Sequence, residues 1–472
     1  MASDDVFDVI VIGAGPVGET VARRAVLGGL SAAVVERRWV GGECNYYGCI
    51  PSKALLWPME IAAAVSRMPG LDLAGPIDAA AVMARRDDFV GHYQDAPEVD
   101  WVEKLPAAFV RGQGRLAGPR RVAVTTPQGD VRALEARQAV ALATGSDPAI
   151  PDIPGLADAR PWTNREATSV TAVPRRLVVI GGGPVACEMA QALRSLGTEE
   201  VTLLVREERL LTRNEPFAGE LVGTSFADSG IEVRFECSTV HVERTGSGAI
   251  MVDVDDGTRI EADEILVAAG RRANTHDVGL ETIDLEATGR IEVDPSMRVQ
   301  AVEGGWLYAV GDVNGRNLLT HMGKYQARIC AATIVAGAKG LAEDGPALRD
   351  MADDLGAPQA IFTDPQVIAV GRSEATARSE GFTVRTVERD IAGVAGAALQ
   401  ADGYRGRAKI VVDQDRSVLL GVTFVGPGVV DHLHAATIAV TAEVPLDRLW
   451  HAVPAFPTTS EIWLDLLEAY GL

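Results

Sequence analysis

The sequence contains few cysteines and no excess of positive charge. Its 472 residues include only Cys44, Cys49, Cys187, Cys237 and Cys330, too few for the disulfide framework of a secreted domain. Lys and Arg total 44 against 65 Asp and Glu, which gives a net charge of -21. Such acidity argues against binding to the phosphate backbone of a nucleic acid or to an acidic membrane face.

Long apolar runs are also missing. None approaches the roughly 20 residues needed to span a bilayer. The start, Met-Ala-Ser-Asp-Asp, is acidic and lacks the basic segment that opens a signal peptide. We therefore predict a cytoplasmic protein with no membrane partner, in which a working disulfide would be catalytic.

The most informative stretch is Gly41–Lys53, which contains Cys44 and Cys49. Residues five apart do not face each other on a regular helix, so a disulfide between them requires distorted backbone, and Gly48 supplies conformational freedom. Strained disulfides are reduced more easily. We interpret the pair as a redox disulfide; the alternative is two buried or metal-binding thiols, although further zinc ligands at matching spacing are not nearby.

A dinucleotide-binding fingerprint opens the chain. The apolar run Val6–Ile12 leads into Gly13-Ala14-Gly15-Pro16-Val17-Gly18, a helical pattern follows to Leu27, and a second strand ends at Glu36. The glycines allow close approach of a pyrophosphate at a helix N-terminus, and the acid can accept from a ribose hydroxyl.

The pattern repeats later in the chain. Leu177–Ile180 precedes Gly181-Gly182-Gly183-Pro184-Val185-Ala186, and the next strand ends at Arg206 where an acid would be expected. With Arg209 and Arg213 nearby, a missing carboxylate favours a 2′-phosphate, hence NADPH over NADH. The alternative is that these arginines only pair with the neighbouring residues Glu207 and Glu208.

Length suggests about three domains. We predict an α/β protein with two Rossmann-like dinucleotide-binding domains and a C-terminal α+β domain without a nucleotide site. Late in the chain, a buried strand ends at Gly311-Asp312, a place to hold a sugar-like polyol. The predicted boundaries are 1–148 and 271–345 for the first dinucleotide domain, 149–270 for the second and 350–472 for the last.

Together with Thr144-Gly145, Ala269-Gly270-Arg271, Leu319-Thr320-His321, Phe362-Thr363-Asp364-Pro365 and Pro457–Glu461, these motifs resemble the flavin-dependent pyridine nucleotide-disulfide oxidoreductases in their order along the chain. The resemblance implies a homodimer with FAD in the first domain, NAD(P)H in the second, and electron flow through FAD to the Cys44–Cys49 disulfide. The residues expected to bind these cofactors are Gly13, Gly15, Gly18, Glu36, Gly42, Thr144, Gly145, Gly181, Gly183, Arg206, Gly270, Arg271, Gly311 and Asp312.

The resemblance also implies catalytic roles. Cys49 would be the charge-transfer thiolate against the flavin, and Cys44 the interchange thiol that meets substrate. Lys53 would approach the flavin N5 region, held by Glu188, and Asp312 would bind the ribityl chain. A lysine and a helix start beside Cys49 both favour the reactive thiolate.

One family position departs from this pattern. The family's C-terminal His-Pro-Thr-x-Ser-Glu supplies a His, paired with the Glu, as acid/base across the dimer. Here the residues are Phe456 to Glu461. Phenylalanine cannot carry a proton, and acid–base help of this kind contributes about 10²–10⁴-fold. Another His could substitute, and the candidates are His432, His434 and His451, although a His on a dimerisation domain is more often an interface residue.

We therefore predict an FAD-dependent NAD(P)H oxidoreductase that acts on a small disulfide. Alternatives on the same scaffold are a quinone reductase, a mercuric reductase-like enzyme, or an enzyme for disulfides with a good leaving thiolate. A flavin-loaded redox sensor that does not turn over is a further alternative. The intact cysteine pair weighs against a quinone reductase, and two whole nucleotide sites weigh against a sensor.

Overall fold

The structure, a computed structural model, describes residues 5–105, 107–286 and 289–472, and of residue 354 the backbone alone. The chain forms two compact units, the first from residues 1–50, 90–148 and 271–354 and the second from 51–89, 149–270 and 355–472. The four domain ranges predicted above stay a prediction. Residues 1–4 of the acidic start lie outside the described residues. The cytoplasmic location also stays a prediction.

The first unit is built on a mixed sheet in the order β3-β2-β1-β6-β5-β4, with β16 also paired to β6. The strands β1, β2, β3, β6 and β16 run parallel to one another, and β5 is antiparallel to both of its neighbours, β6 and β4. The strands are β1 Val6–Ile12, β2 Ala32–Glu36, β3 Ala108–Arg111, β4 Gln113–Leu116, β5 Arg121–Thr125, β6 Val131–Leu142 and β16 Leu307–Ala309, with a separate pair β7 Ser146–Pro148 and β15 Arg271–Ala273.

Two long helices pack on each other in this unit. Pro16 opens the first of them, at the position where a missing N–H costs least. Val9–Val11 of β1 are fully buried in the apolar core, as expected for a parallel strand covered on both faces. The helices of the unit are α1 Pro16–Leu27, α2 Gly42–Tyr46, α5 Ala96–Lys104 and α9 Thr320–Ala338, with α10 Ala352–Leu355 at its last boundary.

The second unit contains three sheets. One is parallel in the order β10-β9-β8-β14, one is antiparallel in the order β11-β12-β13, and one is antiparallel in the order β17-β18-β21-β20-β19. The strands are β8 Arg176–Ile180, β9 Glu200–Leu204, β10 Ile231–Arg234, β11 Thr239–Arg244, β12 Ile250–Val254, β13 Arg259–Ala262, β14 Glu264–Val267, β17 Gln359–Ile361, β18 Gln366–Gly371, β19 Val384–Asp390, β20 Arg407–Asp413 and β21 Val418–Gly426.

Helices cover these sheets, and α3 enters the unit from Cys49. The helices are α3 Cys49–Ser66, α4 Ala79–Phe89, α6 Asn164–Thr168, α7 Pro184–Ser195, α8 Pro216–Asp228, α11 Glu374–Ser379, α12 Ala395–Gln400, α13 Leu433–Thr441, α14 Leu446–Leu449 and α15 Glu461–Tyr470. Within the described part of the chain, no helix combines the length and apolarity that a bilayer crossing requires. The predicted α/β class is confirmed.

Candidate active site

The first glycine turn, at the end of β1, is closely packed at its first and third glycines and open at its middle one. A Cβ on Gly13 would lie 2.4 Å from the carbonyl oxygen of Ala143, and one on Gly18 would lie 1.9 Å from that of Gly13. For a Cβ on Gly15, the nearest described atom is the Gly42 Cα at 3.9 Å. The turn is therefore closely packed at Gly13 and Gly18, and at Gly15 it leaves room for a pyrophosphate at the N-terminus of α1.

Glu36, predicted to accept from a ribose hydroxyl, also braces this turn. Its Oε2 accepts the backbone N–H of Ala14 at 2.8 Å, and its Oε1 accepts that of Arg38 at 2.7 Å. In the first turns of α1, burial, together with the nearby Glu98 carboxylate, raises the pKa of Glu19 to about 7. An ionisable group that titrates near neutrality thus lies in the helix that follows the turn.

The predicted polyol site contains a compact polar cluster. Asp312 accepts from Ser146 Oγ at 2.5 Å, and Arg271 donates from Nε to that hydroxyl and from Nη2 to the Ser146 carbonyl, each at 2.6 Å. The Arg271 guanidinium also lies 3.7 Å from Asp312 and 3.8 Å from Glu43. This arginine fixes the Asp312 carboxylate in place. Ser146 was missed from sequence, although it directly follows the Thr144-Gly145 motif.

Thr144 and Gly145 are held by one partner. Asn274 accepts on its carbonyl from Thr144 Oγ1 at 2.7 Å, donates from Nδ2 to the Thr144 carbonyl at 3.1 Å, and donates its backbone N–H to the Gly145 carbonyl at 2.9 Å. Gly311 has φ of 76° and donates its N–H to Gln326 Oε1 at 2.9 Å. These contacts place the predicted Thr144–Gly145 and Gly311–Asp312 segments in the same unit as the first glycine turn.

The two redox cysteines lie on separate helices and are both thiols in this structure. Cys44 belongs to α2 and Cys49 begins α3, so the chain has the break that their spacing requires. The Thr320 hydroxyl, at the start of α9, donates to Cys44 Sγ at 3.2 Å and lies 3.3 Å from Cys49 Sγ. Sequence reasoning did not assign Thr320 to the site, although its Leu-Thr-His motif had been noted.

The thiols interact with each other as well. A hydrogen bond with Cys49, followed by burial, raises the pKa of the Cys44 thiol far above its usual range. The Thr320 hydroxyl acts in the opposite direction and lowers that pKa. A sulfur that accepts from a neighbouring donor is stabilised as the anion. Cys44 therefore keeps its proton more firmly than a free thiol does.

Lys53 and Glu188 form the predicted pair within the second unit. Lys53 Nζ donates to Glu188 Oε2 at 2.8 Å, and the other oxygen, Oε1, accepts the backbone N–H of Phe362 at 2.9 Å. The ammonium also lies 4.8 Å from the centre of the Phe362 ring, within range of a cation–π contact. Phe362 lies in one of the sequence motifs but is not among the predicted site residues, and it positions both members of the pair.

The second glycine turn repeats the construction of the first. A Cβ on Gly181 would lie 2.5 Å from the Ala268 carbonyl oxygen, whereas for one on Gly183 no described atom lies within 4 Å. Ala186, in place of the third glycine, is fully buried. Gly270, which follows the end of β14, has φ of 129° and so a backbone that favours glycine.

The arginine cluster is only partly available to a ligand. The Arg206 side chain is 73% exposed and lies 3.7 Å from Glu207, the pairing considered as the alternative. The Arg209 guanidinium donates to the carbonyls of Leu211, Thr212 and Asn214. Arg209 is therefore committed to its own loop, and Arg206 with the exposed Arg213 remains for a phosphate.

The position predicted from the family motif to hold the acid/base is exposed and apolar. Phe456 is 77% exposed, and Glu461 Oε2 is buried without a hydrogen-bond partner among the described residues. His432 is buried against Phe424, its Nε2 lies 2.9 Å from Thr459 Oγ1, and burial lowers its pKa. His432 is thus a packed interior residue, while His434 and His451 are exposed.

Comparison with known proteins agrees with this geometry. The sequence profile of the family described as pyridine nucleotide-disulphide oxidoreductase matches residues 7–334, and that of its dimerisation domain matches residues 357–466. The chain belongs to this family. Its members are FAD-dependent oxidoreductases that use a pyridine nucleotide, and the present chain is an enzyme of this kind.

Relatives span nearly its whole length. Dihydrolipoyl dehydrogenase of Chlamydia muridarum is 30% identical, and the alignment covers 98% of this chain and 96% of that protein. Mercuric reductase of Staphylococcus aureus is also 30% identical, and the alignment covers 97% of this chain and 81% of that protein. The Cu(II) complex of the HOCl-induced flavoprotein disulfide reductase RclA from Escherichia coli superposes with a TM-score of 0.83 at 21% identity, covering 98% and 99%. The last of these shows a shared fold.

The residues present fit both cofactors. A Cβ would clash at Gly13 and Gly18 of the first turn and at Gly181 of the second, and each turn is open at its middle glycine, Gly15 or Gly183. An acid ends the strand after the first turn and an arginine follows the strand after the second. Such cradles suit two dinucleotides.

Proposed function

We propose that this enzyme passes electrons from NAD(P)H through FAD to the Cys44–Cys49 pair and on to a small disulfide whose leaving thiolate needs no proton from the protein. The observation that supports this most is the chemistry around the thiols. Thr320 positions both sulfurs, but Phe456 stands at the acid/base position. A substrate with an acidic leaving thiol tolerates that loss, because such thiolates leave faster.

The protein residues would divide the work as follows. Bound FAD would supply two-electron transfer between a nicotinamide and a disulfide. The Cys44 sulfur attacks one sulfur of the substrate as a thiolate, forms a mixed disulfide and releases the first substrate thiolate. The Cys49 sulfur then attacks Cys44, which closes the internal disulfide and releases the second, while the two protons of the dithiol pass to solvent. Thr320 orients both sulfurs, and Glu188 with Phe362 orients the Lys53 ammonium.

A second candidate is reduction of a thiophilic metal ion. Relatives include a mercuric reductase and a reductase solved as its Cu(II) complex. Metal binding itself releases protons from thiols, so the high pKa of Cys44 is less of an obstacle. Oxidation of the dithiol to the Cys44–Cys49 disulfide would reduce two Cu(II) ions to Cu(I), or one Hg(II) to the metal, and release two protons.

We also propose a homodimer, supported by the match to a dimerisation domain at residues 357–466. For the pyridine nucleotide we propose NADPH in preference to NADH. Arg206 is exposed, and its nearest carboxylate partner, Glu207, is 3.7 Å away. An arginine of this kind can bind a 2′-phosphate with both nitrogens.

Steady-state turnover of the FAD-loaded protein tests these proposals. The acceptors are lipoamide, an aromatic disulfide with an acidic thiol, Cu(II) and a small quinone, each with NADPH and with NADH. We expect the aromatic disulfide to exceed lipoamide by tenfold or more, and Cys44→Ser to abolish that activity while the control Cys187→Ser keeps it. Lipoamide as the faster disulfide would overturn the proposal. Quinone turnover alone, unaffected by Cys44→Ser, would point to a quinone reductase.

The pH profile adds a second test. Because the pKa of the Cys44 thiol lies above its usual range, its thiolate fraction should keep rising with pH, and so should turnover of the aromatic disulfide up to pH 9. Phe456→His should raise lipoamide turnover, and the pH profile of that turnover should then show an additional inflection near the pKa of an imidazole, ~6.5. A wild-type profile that is flat between pH 6 and 9 would contradict the assigned state of Cys44.

A further inference from the structure

A buried lysine joins the last sheet of the second unit to the loop that follows Arg206. Lys409 of β20 donates from Nζ to Glu215 Oε2 and to Glu374 Oε2, each at 2.8 Å. The side chains of Lys409 and Glu215 are only 9% and 4% exposed. Because burying a charged group is costly unless it is paired, this contact holds Glu215 at a defined place on the sheet.

Glu215 ends a segment that we call the nucleotide loop, residues 206–215. Its other oxygen, Oε1, accepts the backbone N–H of Glu374 at 2.7 Å. The preceding residue, Asn214, is also buried and donates from Nδ2 to Gln359 Oε1 of β17 at 3.0 Å. The end of the nucleotide loop is thus bonded at two successive residues to the part of the chain matched by the dimerisation domain, 357–466.

The middle of the nucleotide loop packs on the second glycine turn. Leu211 donates its backbone N–H to the Gly182 carbonyl at 2.9 Å, and Leu210 and Leu211 are both buried. A Cβ on Gly182 would lie 3.4 Å from Leu210 Cδ2. Because protein interiors are closely packed, a displacement of the loop also displaces the turn. Arg206, proposed above to bind a 2′-phosphate, begins the same loop.

We propose that Lys409 is a positioning residue of the pyridine nucleotide site. By fixing Glu215, it holds the nucleotide loop where Leu211 supports the glycine turn and where Arg206 can reach a 2′-phosphate. Its ammonium is nearly buried and bonded to two carboxylates, so it acts on a nucleotide only through the loop. Its loss should therefore weaken nucleotide binding and leave hydride transfer from a bound nucleotide unchanged. The inference rests on the proposed use of NAD(P)H.

Stopped-flow reduction of the flavin separates these two effects. The full-length, FAD-loaded protein is mixed with rising concentrations of NADPH, and separately of NADH, which yields a dissociation constant and a limiting rate. For Lys409→Met we expect the dissociation constant to rise about tenfold, as for coupling through a packed network, while the limiting rate stays within about twofold. The matched control is Phe424→Leu, at a fully buried residue that packs in a different core from Leu210 and Leu211. It should lower the melting temperature and leave both values unchanged.

Gln359→Leu gives an independent measurement, because it removes the Asn214 contact without leaving a buried charge unpaired. We expect the dissociation constant to rise about threefold, again with an unchanged limiting rate. A wild-type dissociation constant in either variant, or a limiting rate that falls in proportion, would overturn the positioning role. So would an equal weakening of binding in Phe424→Leu. A wild-type flavin that neither NADPH nor NADH reduces would instead refute the proposed function on which the inference depends.

Discussion

The glycine turns at Gly13–Gly18 and Gly181–Ala186 hold their first glycine in similar backbone conformations, with φ of 104° and 127°. In each, a Cβ on that glycine would lie within 2.5 Å of a carbonyl oxygen from a neighbouring strand end. Each is followed by a helix with proline in its first turn. The backbone of a dinucleotide cradle is thus set by packing that both sites share.

The side chains around the two turns differ. Glu36 binds two backbone N–H groups beside the first turn, whereas Arg206 near the second is largely exposed. Glu19 in α1 is ionisable with a pKa of about 7, while the corresponding residue of α7, Cys187, is fully buried. Chemical differences between the sites therefore lie at the strand end and along the helix, and substitutions at these positions can test them.

The largest effect is expected from Gly181→Ala. Its Cβ would meet the Ala268 carbonyl at 2.5 Å from a backbone with positive φ, a clash and strain of roughly 3 kcal/mol. Titration with NADPH should show at least 100-fold weaker binding while FAD is retained. Gly183→Ala, which meets open space, is the control for stability and should keep the wild-type melting temperature. Equal melting temperatures for the two variants would show that the turn is not closed by packing.

Glu19→Gln tests the pH sensitivity of the first site. Between the ordinary carboxyl value of 4.5 and the folded pKa of about 7, the folded state retains a proton that the unfolded state has lost, so stability falls as pH rises through this range. The variant should be more stable than wild type by about 2–3 kcal/mol at pH 8 and equal at pH 4. Denaturant unfolding at both pH values measures this. A gain that is the same at both would show that ionisation is not its cause.

Glu36→Ala should be destabilising where Arg206→Ala is not. Removing the carboxylate leaves the Ala14 N–H, on a fully buried residue, without its acceptor, which costs about 1–3 kcal/mol. An exposed arginine contributes within about 1 kcal/mol. Thermal unfolding of the two variants should therefore differ clearly. Similar melting temperatures would show that the hydrogen bonds accepted by Glu36 do not contribute to the stability of the fold.

Arg206→Glu should separate the two nicotinamide cofactors. A 2′-phosphate loses a charge-assisted contact of about 1.5 kcal/mol, roughly tenfold in KM for NADPH, while KM for NADH changes little. The control is Arg209→Glu, whose guanidinium serves its own loop, so that both cofactors should weaken together. Equal losses in the Arg206 variant would remove the specificity assigned to it.

Local motifs explain what the sequence could predict. The glycine turns, the cysteine pair, the α/β class and the Lys53–Glu188 pair depend on short spacings or on motifs matched to the family. The Ser146–Asp312 bond joins residues 166 positions apart, and no local pattern reveals such a contact. Arg209 was grouped with Arg206 because of its proximity in sequence, but the loop conformation turns its guanidinium to carbonyls of residues 211–214.

The role of Thr320 could not be predicted from the sequence either. Its motif was visible, but the role of its hydroxyl depends on α9 starting beside both cysteines. Likewise, the exposed face of α3 cannot be distinguished from its buried face by composition, since both are apolar. Only packing separates Trp57 from Leu56.

The five cysteines differ in their exposure, so chemical labelling can distinguish the Cys44–Cys49 pair from the other three. Cys187, Cys237 and Cys330 are buried, while Cys49 is exposed and Cys44 is partly so. Their burial shields these three sulfurs from reagents in the folded protein, which makes them slow to react. An alkylating reagent applied to the reduced, folded protein should thus modify Cys49 and Cys44 before the rest. The mass added to the intact chain would then report directly what fraction of a preparation has its dithiol available.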